Sequence, residues 1–140
     1  MEDKILIDTN VLLDYLLIRE PFCHDAKMIM QACTDNKIRG SIAAHSIPNL
    51  FYILRKDYEP EERRELLINI CKIFDVVGIN NDKIVSALKN KEFTDYEDCL
   101  QMECAKEYAA KYIITRNVPD FTASEIKAIT PEEYVKLLHK

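Results

Sequence analysis

Acidic and amide side chains stand at three places along the chain, and their types indicate metal chemistry. They are Asp8 and Asn10, Asp95 and Asp98, and Asn117 and Asp120. Carboxylate and amide oxygens without a nearby His or Cys suit hard cations such as Mg²⁺ or Mn²⁺. A cation held in this way activates a water and stabilises the charge that develops on a phosphate during in-line attack. The residue types therefore predict a metal-dependent phosphodiesterase or phosphatase.

Short apolar runs alternate along the chain with longer segments of helical periodicity. The predicted strands cover residues 4–8, 39–43, 75–79, 112–115 and 126–129, and the predicted helices cover residues 11–18, 22–36, 46–56, 60–74, 82–89, 95–111 and 131–138. Strands separated by helices imply right-handed crossovers and a mainly parallel sheet that is covered on both faces. We therefore predict the α/β class and one domain over residues 1–140.

The acidic residues stand where such a sheet would bind a ligand. Open parallel sheets bind ligands beyond the carboxyl ends of their strands, and Asp8 ends the first predicted strand while Asn117 follows the fourth. Asp95 and Asp98 share one face of the first turn of the helix that leads into the fourth strand. Because adjacent strands lie about 4.8 Å apart, the sheet can bring the three loops together. Clustered carboxylates repel one another, which favours shared protons or a bound cation.

Composition excludes several other functions. Lys and Arg number 19 against 24 Asp and Glu, a net charge of −5, so nucleic-acid binding cannot rest on bulk charge. Only two glycines occur, which excludes P-loops, dinucleotide fingerprints and GxSxG nucleophile elbows. Five cysteines without CxxC spacing indicate reduced thiols. With no signal peptide and no apolar run of about 20 residues, we expect a cytoplasmic protein without a membrane span.

Structural roles would also account for some of these residues. Asp is a good N-cap residue, so capping of the next helix is an alternative role for Asp8. Thr94 and Glu97 have the spacing of a capping box, which favours a structural role for both. The box does not explain Asp98, although a negative charge is favourable at a helix N-terminus. His45 is interpreted as a surface or capping residue.

Three motifs, in this order, resemble those of the PIN-domain nucleases. Residues 5–14 (ILIDTNVLLD) resemble the opening motif of the family. Residues 95–101 (DYEDCLQ) with Ala105 resemble its central acidic helix start, and residues 113–121 (IITRNVPDF) resemble its closing motif. The segments REPF (residues 19–22) and YILRK (residues 52–56) are similar to a bacterial branch of the family. The resemblance covers nearly the whole chain.

The resemblance implies a three-layer α/β/α sandwich and Mg²⁺- or Mn²⁺-dependent cleavage of RNA by an endoribonuclease. Many small members are toxins of VapBC-type (type II) toxin–antitoxin pairs, so we expect a homodimer and a small antitoxin partner. By position, the resemblance implies that Asp8, Asp98 and Asp120 are the catalytic acids. The implied metal ligands are Asp8, Asp95, Asp98, Asn117 and Asp120. The implied supporting residues are Asn10, Asn49 and Thr115. Arg116, beside this site, is a candidate phosphate contact for the substrate.

The sequence departs from the family pattern at Asn49. PIN domains usually place a Glu at the start of the helix after the second strand, and Asn49 is nearest to that position. An amide oxygen can bind a metal, but it carries no charge and cannot act as a base. A second function therefore stays open, a PIN-like domain that binds RNA or a protein partner without turnover. Asp8-Thr9-Asn10 also invites comparison with haloacid-dehalogenase phosphatases, although their second Asp is Asn10 here.

The apolar face of the third predicted helix has two interpretations. Leu50, Phe51 and Leu54 most simply belong to the core. Part of this face would also suit a groove for an antitoxin helix. The sequence leaves both interpretations open.

Overall fold

A parallel sheet of five strands lies between two layers of helices in the computed structural model, which describes residues 3–140. The strands are β1 (Asp3–Ile7), β2 (Ile38–Ala43), β3 (Asp75–Val77), β4 (Tyr112–Ile114) and β5 (Ala128–Ile129). The helices are α1 (Thr9–Leu16), α2 (Cys23–Thr34), α3 (Ser46–Ile53), α4 (Pro60–Ile73), α5 (Asn81–Lys89), α6 (Tyr96–Tyr108) and α7 (Pro131–Leu138). The strand order is β3-β2-β1-β4-β5, and each pairing is parallel. This arrangement confirms the predicted α/β/α class.

The central strand β1 is covered on both faces. Its side chains alternate, so Ile5 and Ile7 pack into one hydrophobic cluster and Leu6 packs into the other. The first cluster contains side chains of α1, α2, α3, α4 and α7, whereas the second contains those of α5 and α6. Each of these three β1 residues is at most 1% exposed. A strand buried on both faces explains the continuous apolar run in the sequence.

The helices lie close to their predicted ranges, with small differences at their ends. α1 begins at Thr9, two residues earlier than predicted, because Asp8 already has the extended backbone of an N-cap residue. α3 ends at Ile53, and the chain continues as a 3-10 turn over Leu54–Lys56. Within residues 3–140, no helix has the length and apolar character needed to cross a membrane.

The apolar face of α3 belongs largely to the core. Leu50 and Leu54 are both 0% exposed, and Phe51 packs against the same cluster while remaining partly exposed. The core interpretation of Leu50 and Leu54 is therefore confirmed.

The sheet aligns the carboxyl ends of β1 and β4. Ile7 stands opposite Ile114 in the parallel register, and the backbone N–H of Asp8 donates to the carbonyl of Ile114 at 3.0 Å. α6 crosses the face of the sheet to which Leu6 points, and it contacts β1, β2, β3 and β4. The start of α6 and the two strand ends therefore meet at one edge of the sheet.

Candidate active site

An acidic cleft of about 240 Å³ opens at the carboxyl ends of β1 and β4. The predicted site residues that line it are Asp8, Asn10, Asn49, Asp95, Asp98, Asn117 and Asp120. His45, Glu97 and Gln101, to which the sequence assigned no part in the site, line it as well. The structure thus brings together side chains from widely separated segments of the chain.

Asp8 is held in the floor of this cleft by two hydrogen bonds. The side chain is 4% exposed; its Oδ1 accepts from Nε2 of Gln101 at 2.9 Å and its Oδ2 accepts from Oγ1 of Thr115 at 2.8 Å. Although Asp8 occupies the N-cap position of α1, its carboxylate makes no capping hydrogen bond. The predicted N-cap position of Asp8 is confirmed, but capping does not account for the carboxylate, because both of its oxygens are oriented by tertiary contacts.

Thr115 supports the site from behind the cleft. Its side chain is 0% exposed, and the Oγ1 that donates to Asp8 also accepts from the backbone N–H of Asn117 at 3.0 Å. One hydroxyl thereby couples the acid at the end of β1 to the loop after β4.

The N-cap residue of α6 is not the one that the sequence predicted. Asp95 is the N-cap residue, and its Oδ1 accepts from the backbone N–H of Asp98 at 3.0 Å. The capping box predicted for Thr94 and Glu97 is therefore wrong, because the helix begins one residue later than that box requires. Glu97 instead accepts a hydrogen bond from Nδ2 of Asn49 at 3.3 Å.

Among the acids of the cleft, Asp98 has the most strongly shifted pKa. Burial, followed by the charges of Asp95, Asp8 and Asp120 and then Glu97, raises its pKa to about 7. Removal of water and repulsion between carboxylates both disfavour the ionised form. The cleft therefore concentrates negative charge, as the sequence predicted.

Two buried polar atoms in the cleft lining lack partners among the described residues. Oε1 of Gln101, a side chain 3% exposed, accepts no hydrogen bond, and Nδ1 of His45 has no partner either. Burial lowers the pKa of His45, against the opposing charges of Glu97, Asp8 and Asp95. Gln101 follows Asp98 by three residues, so helical spacing offered a signal for it. The sequence offered no comparable signal for His45.

Arg116 lies outside the cleft lining. Its Nε and one terminal nitrogen donate to the two carboxylate oxygens of Asp14 at 2.6 and 3.1 Å, and its guanidinium stacks on the ring of Phe22 at 4.0 Å. Asp14 is 1% exposed and the Arg116 side chain is 26% exposed, so this half-buried ion pair joins α1 to the loop after β4. A contact between Arg116 and a substrate phosphate stays a prediction.

The carboxylate and amide oxygens that line the cleft are suitable ligands for a divalent cation. In residues 3–140, no three or more His, Cys, Asp or Glu side chains already stand close enough together to hold a metal ion. The carboxylates surround the cleft and repel one another, which raises the pKa of Asp98. A cation would offset that repulsion, and the unpartnered oxygen of Gln101 could accept from its hydration water.

A parallel sheet between two layers of helices, with acids at its strand ends, defines an α/β/α protein with a candidate metal site, and comparison with known families identifies its family. The family model described as PIN domain matches residues 4–119, so the chain belongs to the PIN-domain family. The resemblance of the three motifs is thereby confirmed, and it supersedes the comparison with haloacid-dehalogenase phosphatases.

Individual relatives extend this comparison over nearly the whole chain. Ribonuclease VapC1 of Aquifex aeolicus (strain VF5) is 24% identical over 135 residues, which cover 94% of this chain and 93% of the relative. A toxin-antitoxin complex from Klebsiella pneumoniae contains a chain of 21% identity with a TM-score of 0.69, covering 91% of this chain and 97% of that one. VapBC-1 from nontypeable Haemophilus influenzae gives a TM-score of 0.69 at 15% identity, covering 92% and 98%. The two structures share the fold of this chain.

Proposed function

We propose that this protein is a metal-dependent endoribonuclease that hydrolyses RNA phosphodiester bonds and serves as the toxin of a type II toxin–antitoxin pair. The observation that carries the proposal is Asp8, a buried carboxylate oriented by Gln101 and Thr115 in a cleft lined by further acids. Membership of the PIN-domain family and the similarity to a ribonuclease support it.

The cleft side chains have distinct roles in this proposal. Asp8 and Asp98 would hold one Mg²⁺ or Mn²⁺, and Asn117, Asp120 and Asp95 would complete the site, some of them through water. When bound, the cation would stabilise charge on the phosphate and lower the pKa of a water. Of these residues, Asp8, Asp98 and Asp120 are the proposed catalytic acids.

The supporting residues keep the walls of the cleft in place. Thr115 and Gln101 orient Asp8, and Asn10 lines the cleft beside it. The hydroxyls of Thr9 and Ser46 share a hydrogen bond of 2.8 Å, which joins the start of α1 to the start of α3. An acid displaced by a fraction of an ångström loses metal-ligand geometry, so these contacts favour a defined site.

RNA cleavage by the purified protein tests the proposal, with Mn²⁺, with Mg²⁺ and with EDTA. We expect cleavage with a divalent cation only, and a loss of at least about 100-fold in Asp8→Asn. Oδ1 of the Asn can still accept from Oγ1 of Thr115, so the variant should fold. Asp35→Asn, at the exposed residue that follows α2, is the matched control. Cleavage by Asp8→Asn at the rate of the unsubstituted protein would overturn the assignment.

A second candidate function is a PIN domain that binds RNA or a protein partner without turnover. The observation that favours it is Asn49, which lines the cleft as an uncharged amide. Absence of cleavage with either cation, together with RNA binding measured by fluorescence anisotropy, would favour this function over the nuclease.

We propose a small antitoxin and a second copy of the chain as partners, and a cytoplasmic location. The similarity to chains of solved toxin-antitoxin complexes supports the antitoxin. All five cysteines are free thiols, which suits a reducing compartment. Light scattering of the purified chain, alone and with its antitoxin, measures both assemblies.

A further inference from the structure

We propose that Glu97 supplies to the acidic cleft the carboxylate that this chain lacks at Asn49, and that it is a further ligand of the divalent cation. The inference rests on the proposed function, because it concerns the same metal site. It assigns a role to a residue for which the sequence indicated only helix capping.

The first support is the contact between the two side chains. Nδ2 of Asn49, on α3, donates to Oε1 of Glu97, in the first turn of α6, at 3.3 Å across 48 residues of sequence. Both residues line the cleft. A Glu at position 49 would have only acceptors to offer Glu97 and would repel it, whereas an amide can donate to it. The amide at one position and the acid at the other therefore form a matched pair.

Glu97 is also free to bind a ligand. Asp95 caps α6, so the carboxylate of Glu97 is not used at the helix terminus. Among the residues that the structure describes, Asn49 is its only hydrogen-bond partner, and no ion pair involves it. One carboxylate oxygen thus remains available at the mouth of the cleft.

An independent observation indicates that the cleft receives a ligand with hydrogen-bond donors. Oε1 of Gln101 lines the cleft and has no partner among the described residues, although the side chain is 3% exposed. The orientation of this amide is determined by Asp8, whose carboxylate can only accept and therefore requires Nε2. A buried acceptor without a partner costs free energy unless a ligand supplies the donor. A hydrated divalent cation supplies O–H donors to Gln101 and positive charge to the carboxylates.

Calorimetric titration of Mn²⁺ into the purified chain tests the proposal without depending on activity. We expect Glu97→Gln to weaken the affinity by about 10-fold or more. The double variant Glu97→Gln/Asn49→Glu returns the acid to α3, where the new amide at position 97 can donate to it, and should recover most of the lost affinity. Glu65→Gln, on the exposed face of α4, removes the same charge far from the cleft and should leave the affinity unchanged.

The outcomes separate this inference from the function on which it rests. If the unsubstituted protein binds Mn²⁺ and Glu97→Gln binds it equally well, the role of Glu97 is overturned and the nuclease proposal stands. If the single variant weakens binding but the double variant gives no recovery, the matched-pair argument fails. If the unsubstituted protein binds no Mn²⁺, both the inference and the metal-dependent mechanism are overturned. Thermal unfolding in EDTA confirms that each variant is folded.

Discussion

Gln101 donates a hydrogen bond from Nε2 to Oδ1 of Asp8 over 2.9 Å, and the two residues lie 93 positions apart in the sequence. The other carboxylate oxygen accepts from Thr115 at 2.8 Å. These two bonds connect α6 and the end of β4 to the end of β1. The geometry of the central acid therefore depends on how α6 packs across the sheet.

Replacement of Gln101 should weaken metal binding while leaving the fold intact. Gln101→Met fills a similar volume but cannot donate to Asp8, so we expect the Mn²⁺ affinity to fall by about 10- to 100-fold. The cation-free variant should lose about 1–3 kcal/mol, because Oδ1 of the buried Asp8 is left without a donor and removal of the unpartnered Oε1 offsets this loss only in part. Calorimetry and urea denaturation measure the two effects. The exposed Gln31→Met is the control, and equal affinities in all three proteins would contradict the role of Gln101.

Asp98 should make the cation-free protein less stable as the pH rises. Its pKa in the folded protein is raised from 3.8 to about 7, so the native state binds this proton more tightly than the unfolded chain does. The resulting loss of stability develops between these two pH values and is complete above pH 7. In EDTA at pH 8, Asp98→Asn should therefore be more stable, by on the order of 1 kcal/mol after solvent screening is allowed for.

Urea denaturation at pH 3.5 and pH 8 measures this effect as the difference between the variant and the unsubstituted protein. Groups outside the acidic cleft titrate equally in both proteins and cancel from that difference. We expect Asp98→Asn to gain stability at pH 8 but not at pH 3.5. An equal gain at both pH values would show that the pKa of the Asp98 carboxyl is not raised in the folded protein.

The half-buried ion pair between Asp14 and Arg116 should contribute more to stability than an exposed ion pair does. Asp14→Asn leaves the half-buried guanidinium, which is 26% exposed, without its charged partner, and this should cost about 1–3 kcal/mol. Glu132→Gln breaks the exposed pair with Lys136 and should cost about 0.5 kcal/mol or less. The free energy of unfolding from urea denaturation compares the two, and similar values would contradict the prediction.

Gly40 should accept a side chain only at a cost, because β2 packs closely against α2 and against Phe74, the residue that follows α4. A Cβ atom there would lie 2.6 Å from the ring of Phe74 and 2.8 Å from Sγ of Cys33. We expect Gly40→Ala to cost about 1–3 kcal/mol through overpacking. Gly78→Ala is the matched control, since its Cβ would meet no atom within 4 Å. Thermal unfolding of both variants checks the difference, and equal melting temperatures would contradict it.

The α/β class and the location of the site could be predicted from the sequence. Apolar runs such as residues 5–7 specify strands buried on both faces, and the longer amphipathic segments specify the covering helices. Because parallel strands end at one edge, the acids that follow β1 and β4 had to lie near each other. Local periodicity and the direction of the chain are sufficient for both conclusions.

Only the tertiary structure decided which partner each polar side chain has. The sequence could not show that Asp8 is held by Gln101 and Thr115, that Arg116 is bound to Asp14, or that Asn49 donates to Glu97. Each of these contacts joins segments far apart in the chain, so it depends on the rotation and position of one helix relative to the sheet. Side-chain packing in the two hydrophobic clusters determines those positions, and no local pattern in the sequence encodes them.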